Sequence, residues 1–302
     1  MNKLAPLFII IAAMLWGFDG IVLRPELYTL PVVLVVFIES TITAIYLSPL
    51  LFKNFITLKK LQTADWLSFF GVALFGGALG SLCITKALFY VNFVNLSIVI
   101  LIQKLQPIFA LTLAAVILKE KLSAKFFYWA TLAIIGTYIM TFGFKIPELN
   151  MDNKNLLAAL YSVFAAFSFG FSTVLSKRAL KNVNFELGTY LRFGISSIIM
   201  IVFVITFGEL SSISLVSTKQ WWIFLLIAFS TGGPAIFLYY YGLKNITASS
   251  STILELAFPM TAIILEYILH NNILNFVQWI GVAILIFSIT NVIKLNNNAN
   301  NV

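Results

Sequence analysis

Charged residues, histidine and cysteine are all scarce in this sequence. Only 10% of its 302 residues are charged, and it contains one histidine and one cysteine. The single cysteine, Cys83, excludes an intramolecular disulfide and a thiolate metal cluster. The single histidine, His270, has no companion with which to build a catalytic or metal centre, and no Walker-type phosphate loop is present. We therefore predict no metal, no cofactor and no enzyme activity, and the sequence disfavours a primary pump.

Apolar residues, by contrast, are abundant and are gathered into long runs. They make up 61% of the chain, and the mean hydropathy is +1.00. Crossing a hydrocarbon core takes about 20 apolar residues, and lipid-facing backbone must satisfy its own hydrogen bonds, which favours helices. The predicted fold class is an all-α integral membrane protein with ten transmembrane helices. The predicted spans are 4–22, 31–52, 66–90, 94–118, 124–144, 156–176, 187–207, 221–243, 249–269 and 273–293.

The predicted spans fall into two halves of five, residues 4–144 and 156–293, with weak internal similarity. The matched residues are Trp16 with Phe169 and Glu39 with Arg192 at a shift of 153, and Gly80 with Gly232, Gln103 with Glu255 and Pro107 with Pro259 at a shift of 152. The near-constant shift predicts a repeat. An odd number of spans per half turns the second copy over in the membrane, so we expect two inverted five-helix repeats, as in many secondary transporters.

The basic residues predict the orientation. If the N-terminus is cytoplasmic, most of the 19 Lys and Arg residues fall in cytoplasmic loops, whereas Arg24 and Lys219 are among the few outside. Both termini are therefore predicted inside. The Lys, Asn and Ile content indicates an AT-rich genome, and we expect a bacterial inner membrane. The net charge of +8 is dispersed over these loops, so we expect no nucleic-acid partner.

Two groups of residues resemble a known family. Trp16-Gly17-Phe18 is echoed by Phe169-Gly170-Phe171, and Leu105-Gln106-Pro107 leads to Leu118-Lys119-Glu120-Lys121-Leu122. With these motifs the chain resembles the drug/metabolite transporter superfamily, of the EamA-like type, over its whole length. The resemblance implies ten helices, an inverted repeat and alternating-access transport of small organic solutes such as amino acids or related metabolites. It also implies a cavity lined by spans one, three, four, six, eight and nine. The second copy departs from the pattern, because Asn271-Asn272 replaces Lys119-Glu120.

Two ionisable residues lie deep inside predicted spans, where a charge is expensive and needs a partner or water. Lys104 lies near the middle of span four beside Gln103, with Pro107 one turn on. It is predicted either to face a polar cavity and bind an anionic part of the solute, or to pair with Glu39 or Asp19. Glu255 lies on the same helix as Pro259, and is predicted to bind solute or to couple transport to protons.

Other candidates have two interpretations each. Asp19 is either a cavity carboxylate or an exposed residue of the outer loop, whereas Glu39 and Arg192 favour structural pairing or snorkelling. The aromatic rings predicted to line the cavity are Trp16 and Phe169, and those predicted at the membrane interface include Tyr239-Tyr240-Tyr241. Gly80 and Gly232 indicate either interrupted binding-site helices or plain helix packing.

Together these patterns favour a secondary transporter that binds a small organic solute within the lipid bilayer. A channel or a lipid scramblase is the main alternative, and an integral membrane enzyme is a weaker one. Residue patterns alone do not specify the solute, the direction of flux, the coupling ion or the oligomeric state.

Overall fold

The structure is a computed structural model that describes residues 4–90, 99, 102–103, 105–144, 153–270 and 274–299. All regular secondary structure in these ranges is helical, which confirms the all-α prediction for the described residues. Lys104 and Asn271-Asn272 lie outside the described residues. The helices are α1 Ala5–Leu27, α2 Val32–Tyr46, α3 Ser48–Lys53, α4 Phe55–Lys59, α5 Thr63–Tyr90, α6 Gln106–Leu118, α7 Ala124–Phe142, α8 Asn153–Ala179, α9 Phe185–Thr206, α10 Thr218–Asn245, α11 Ala248–Leu254, α12 Phe258–His270 and α13 Phe276–Ala299.

Six of the described helices are long and apolar enough to cross a membrane. They are α1, α5, α8, α9, α10 and α13, and α2 and α6 are shorter apolar helices. Lipid as the solvent explains why large apolar side chains such as Ile198, Phe229 and Phe287 are more than half exposed. The count of ten spans stays a prediction.

Polar caps set where several helices begin. The side chains of Ser123, Asn184, Ser217 and Thr247 each accept a hydrogen bond from a backbone N–H in the first turn of α7, α9, α10 and α11. Ser217 and Gln220 form a reciprocal capping box. Such caps satisfy N–H groups that a helix cannot pair internally, which matters most at a membrane edge.

The two halves of the chain interleave at the centre. Helix α1 of the first half packs on α10 and α12 of the second, and α8 of the second half packs on α5 and α6 of the first. Two glycines allow this approach. A Cβ on Gly17 would lie 2.8 Å from the Phe258 carbonyl oxygen, and one on Gly170 would lie 3.0 Å from the Ala110 nitrogen.

Several of these helices contain wide π-helical turns. They occur at Asp19–Leu23 in α1, Ala73–Leu79 in α5, Ala114–Leu118 in α6 and Ala228–Gly232 in α10. A π-turn disturbs the regular hydrogen-bond ladder and frequently marks a functional site. Three of the four turns contribute residues to the central cavity described next.

Candidate functional site

A cavity of about 350 Å³ lies between the two halves. Its wall includes eight of the candidates for solute binding or coupling, namely Trp16, Asp19, Gln103, Pro107, Phe169, Gly232, Glu255 and Pro259. It also includes Glu39 and Arg192, for which the sequence predicts structural pairing or snorkelling. Gly80 lies just behind the wall, where a Cβ would approach the Phe169 ring to 2.9 Å. Helices α2 and α9 also reach the cavity through Glu39 and Arg192, although the family resemblance did not imply them. A role in transport stays a prediction for every one of these residues.

Glu255 lies at the centre of a hydrogen-bonded group that joins the halves. Its Oε1 accepts a hydrogen bond from the Tyr239 hydroxyl at 2.7 Å and a longer one from Ser251 Oγ at 3.4 Å. Its Oε2 accepts from the Gln106 amide at 2.8 Å. The Tyr239 oxygen in turn lies 2.9 Å from Thr173 Oγ1 on α8. Both carboxylate oxygens are therefore satisfied, as the burial of a charge requires.

The prediction of an interfacial position for Tyr239 and Tyr240 is wrong. Tyr239 is 3% exposed and Tyr240 is fully buried. The Tyr240 hydroxyl lies 3.0 Å from Ser176 Oγ, and the Tyr239 ring centroid lies 5.2 Å from that of Trp16. A run of three tyrosines at a helix end is typical of a membrane belt, but here the hydroxyls of Tyr239 and Tyr240 find polar partners inside the bundle.

A second polar group forms where α1 changes from α-helical to π-helical. Arg24 donates hydrogen bonds to Asp19 Oδ2 from Nε at 3.0 Å and from Nη2 at 2.7 Å. The same Nη2 lies 3.3 Å from Glu39, and Nη1 donates to Thr85 Oγ1 at 3.1 Å. The exposed-loop alternative for Asp19 is therefore wrong, because the residue is 8% exposed and paired.

The prediction that Arg24 lies in an outer loop is also wrong. Helix α1 continues through the π-turn and a 3₁₀ turn to Leu27, so Arg24 stays inside the helix and lines the cavity. An ordinary hydropathy window ends the span before Arg24, because the charge lowers the average. The sequence does contain one indication that Arg24 is buried, because the carboxylates of Asp19 and Glu39 lie inside the first and second predicted spans and could pair with it.

Arg192 has only neutral hydrogen-bond partners among the described residues. Its Nη2 donates to the carbonyl oxygen of Gly76 at 3.1 Å, and its Nη1 lies 3.5 Å from the Tyr240 hydroxyl. Gly76 lies in the π-turn of α5, which leaves its carbonyl available to the guanidinium. The snorkelling interpretation of Arg192 does not fit this geometry, since the side chain lines the cavity.

Hydrogen bonds tie the helices together at both ends of the bundle. At one end, Lys219 pairs with Glu26 at 2.6 Å, and the Gln220 amide donates to Thr29 at 2.9 Å. At the other end, Lys177 donates to the carbonyl of Leu243 at 2.8 Å.

Glu120 supplies a further link at that second end. Its carboxylate accepts hydrogen bonds from the backbone nitrogens of Ala248 at 2.8 Å and Ser249 at 3.1 Å, and from the Ser249 hydroxyl at 2.5 Å. The loop before α7 is thereby attached to the first turn of α11. Glu120 of the Lys119-Glu120 motif therefore attaches this loop to the start of α11, a role that the sequence alone did not predict.

The described residues contain no group of three or more His, Cys, Asp or Glu side chains that could hold a metal ion. The polar groups on the cavity wall are instead amides, hydroxyls, carboxylates and guanidiniums beside aromatic rings. Such a wall is suited to binding a polar organic molecule by hydrogen bonds and ring contacts.

Comparisons with known proteins agree with this architecture. The model of the EamA-like transporter family matches residues 3–142 and again residues 156–293. A riboflavin transporter of Fusobacterium nucleatum, ImpX, is 46% identical over 291 residues, covering 96% of this chain and 97% of the relative. An uncharacterised transporter of Bacillus subtilis is 23% identical over 269 residues, 88% of each chain. A solved crystal structure shares the fold, with a TM-score of 0.75 at 16% identity and 99% coverage of both chains. The chain therefore belongs to the EamA-like transporter family and is an integral membrane transporter, not an enzyme.

Proposed function

We propose that this protein carries a small polar organic solute across the membrane by alternating access through the central cavity. The observation that carries the proposal is a cavity between the two halves in which polar side chains join them, with Glu255 of the second half hydrogen-bonded to Gln106 of the first. Rocking of the halves would break and remake such contacts, which gives each conformation its own set of solute contacts.

Riboflavin is the first solute to test. The relative from Fusobacterium nucleatum is named as a riboflavin transporter, and its similarity extends over nearly the whole of this chain. The cavity volume of about 350 Å³ lies within the range of roughly 300–1,000 Å³ that is usual for small-molecule sites. The rings of Trp16, Phe169 and Tyr239 offer faces for a planar heteroaromatic ring, and the carboxylate and amide groups offer partners for hydroxyls.

The ten-helix inverted repeat is part of the same proposal, with residues 4–144 and 156–293 as its two copies. Matched features support it. The π-turns of α5 and α10 end next to Gly80 and at Gly232, which are paired by the shift of 152 residues. Gly17 packs against α12 as its counterpart Gly170 packs against α6. The family match also covers the two halves separately.

The membrane is proposed to be a bacterial inner membrane, with both termini in the cytoplasm. The distribution of Lys and Arg supports this orientation. Protons are proposed as the coupling ion, and the three carboxylates on the cavity wall support that choice, because a carboxylate can bind and release a proton.

Reconstitution tests the proposal against the channel and scramblase alternatives. Purified protein in liposomes loaded with unlabelled riboflavin should accumulate labelled riboflavin from outside, with saturable initial rates. Counterflow of this kind needs a binding site that reorients, so a channel would give only equilibration. Absence of riboflavin exchange would overturn the choice of solute, and non-saturable flux would overturn the carrier mechanism.

Two variants connect the flux to the cavity. Glu255→Gln should lower exchange at least tenfold, because the neutral amide has one acceptor oxygen in place of two, so the donors Tyr239 and Gln106 can no longer each find a carboxylate oxygen. Glu26→Gln is the control, since its ion pair lies outside the cavity and is 43% exposed. Equal rates in Glu255→Gln and wild type would contradict a role of this residue in solute binding.

A further inference from the structure

Asp19, Arg24 and Glu39 form a buried cluster with two carboxylates and only one guanidinium. Their side chains are between 11% and 13% exposed. Arg24 directs Nε and Nη2 to Asp19, shares Nη2 with Glu39, and uses Nη1 for the Thr85 hydroxyl. When both carboxylates are ionised, one negative charge in the cluster has no counter-charge.

The unbalanced charge coincides with unsatisfied atoms. Asp19 Oδ1 is buried and has no hydrogen-bond partner among the described residues, and the residue as a whole is 8% exposed. Glu39 Oε1 is also buried, and although it lies 3.3 Å from Arg24 Nη2 it accepts no hydrogen bond from any residue that the structure describes. Both residues line the cavity. A buried acceptor without a donor is costly, so these oxygens favour a proton or a donor from a bound solute.

Glu255 has no unsatisfied carboxylate oxygen and, among the described residues, does not share an arginine with a second carboxylate. Its two oxygens accept hydrogen bonds from Tyr239, Gln106 and Ser251. Glu255 therefore has donors that stabilise its ionised form without any solute, whereas Asp19 and Glu39 compete for one arginine.

The remaining ionisable groups in the described part of the chain do not complete the cluster. On the cavity wall they are Arg192 on α9, Tyr239 on α10 and Glu255. Arg192 forms no ion pair with a described carboxylate and donates to Gly76 instead. Beside Thr85 on α5, the Lys86 ammonium lies 5.0 Å from the ring centroid of Tyr161, and Cys83 is partly buried.

We propose that the Asp19–Arg24–Glu39 cluster holds one exchangeable proton and that solute binding displaces it. The proton comes from water on one side, adds to a carboxylate oxygen, and converts that group to a neutral acid that balances the cluster. A solute hydroxyl or N–H that donates to the same oxygen needs it ionised, so the proton leaves as the solute binds. The inference rests on the proposed function and makes the transporter a proton–solute exchanger.

The first experiment needs no solute. Infrared spectra of the purified protein, recorded as the pH is raised above about 5, should show the carbonyl band of a protonated carboxylic acid although exposed carboxylates have ionised. Asp19→Asn and Glu39→Gln should each abolish the band, because each leaves a single carboxylate that Arg24 can balance. Glu255→Gln and Glu26→Gln should keep it.

The second experiment uses riboflavin as the probe. Calorimetric titrations in buffers of different ionisation enthalpy should show release of about one proton per riboflavin bound, and the Kd should rise about tenfold per pH unit as the pH falls through the titration of the cluster. In Asp19→Asn and Glu39→Gln the Kd should become independent of pH. Glu26→Gln, whose ion pair lies outside the cavity, should keep both the proton release and the pH dependence of the Kd.

The outcomes separate the two proposals. A wild-type band that both cluster variants leave intact, or a band removed by Glu255→Gln, overturns the proton site. Riboflavin binding without proton release overturns it as well, and leaves the transport proposal standing. A cluster-dependent band without riboflavin binding supports the proton site and contradicts riboflavin as the solute.

Discussion

At the scale of single residues, Tyr239 connects three parts of the cavity wall. Its hydroxyl donates to Glu255 and lies 2.9 Å from Thr173, while its ring packs beside Trp16. Tyr239→Phe keeps the ring and removes only the hydroxyl, which leaves Glu255 short of a donor. We expect a loss of about 1–3 kcal/mol in solute affinity, measured as the Kd for riboflavin. Tyr128→Phe, at a residue that is 60% exposed, should have no effect, and equal losses in both would contradict the assignment.

Trp16 provides the matching test of ring contact. The Trp16→Ala variant removes a large apolar face from the wall, so the riboflavin counterflow rate at low concentration should fall at least tenfold. Trp222→Ala is the matched control, because that ring is 65% exposed. A normal rate in Trp16→Ala, with the protein folded by size-exclusion chromatography, would remove Trp16 from the solute site.

At the scale of helices, the tight crossing of α1 and α12 depends on Gly17. A Cβ there would lie 2.8 Å from both the Phe258 carbonyl oxygen and Thr261 Cβ, so the helices must separate in Gly17→Ala. We expect the thermal midpoint of unfolding in detergent to fall, because overpacking lowers the free energy of unfolding by about 1–3 kcal/mol. Gly20→Ala, three residues further along the same helix, has its nearest neighbour at 3.8 Å and should not lower the midpoint. A similar midpoint for both variants would contradict the close crossing.

The link between the loop before α7 and α11 gives a second test at this scale. Glu120 accepts two backbone N–H bonds at the start of α11, where a negative charge is favourable. The Glu120→Gln variant keeps the shape but loses the charge and one acceptor, so we expect faster hydrogen exchange at residues 248–254. Glu209→Gln, whose carboxylate accepts from Ser212 outside this region, should leave that exchange unchanged. Unchanged exchange in Glu120→Gln would show that the contact does not hold the first turn of α11.

The same scale shows how far the sequence could predict the site. Proline, glycine and charge inside apolar runs indicated part of the cavity wall, including Pro107, Gly232 and Glu255, because each is costly in lipid and needs a structural reason. The π-turns were not predictable, since they depend on packing between helices rather than on local residue preference. Tyr239 was misplaced for a related reason. In a helix that is apolar on every side, periodicity does not distinguish a face that contacts lipid from one that lines a cavity.

At the scale of the whole molecule, the structure fixes which loops share an end, and the charge pattern then assigns each end to one side of the membrane. Lys219 at the start of α10 pairs with Glu26 at the end of α1, whereas Lys53 at the end of α3 pairs with Glu186 at the start of α9. Helices α1 and α10 run antiparallel, because Gly242 near the end of α10 packs against Ala5 at the start of α1. The contact of Lys219 with Glu26 therefore lies at the end of this helix pair that is opposite to Ala5 and Gly242.

This arrangement predicts the labelling of two cysteines introduced singly into a Cys83→Ala background. Lys219→Cys and Lys53→Cys form a matched pair, because the native side chains are 69% and 66% exposed and each sits in one ion pair. With cytoplasmic termini, a membrane-impermeant maleimide should label residue 219 in intact cells and residue 53 only after permeabilisation, since most basic residues stay inside. The reverse pattern would overturn the orientation but keep the helix packing. Labelling of both from one side would contradict the packing itself, because a span must separate residues that lie at opposite ends of the bundle.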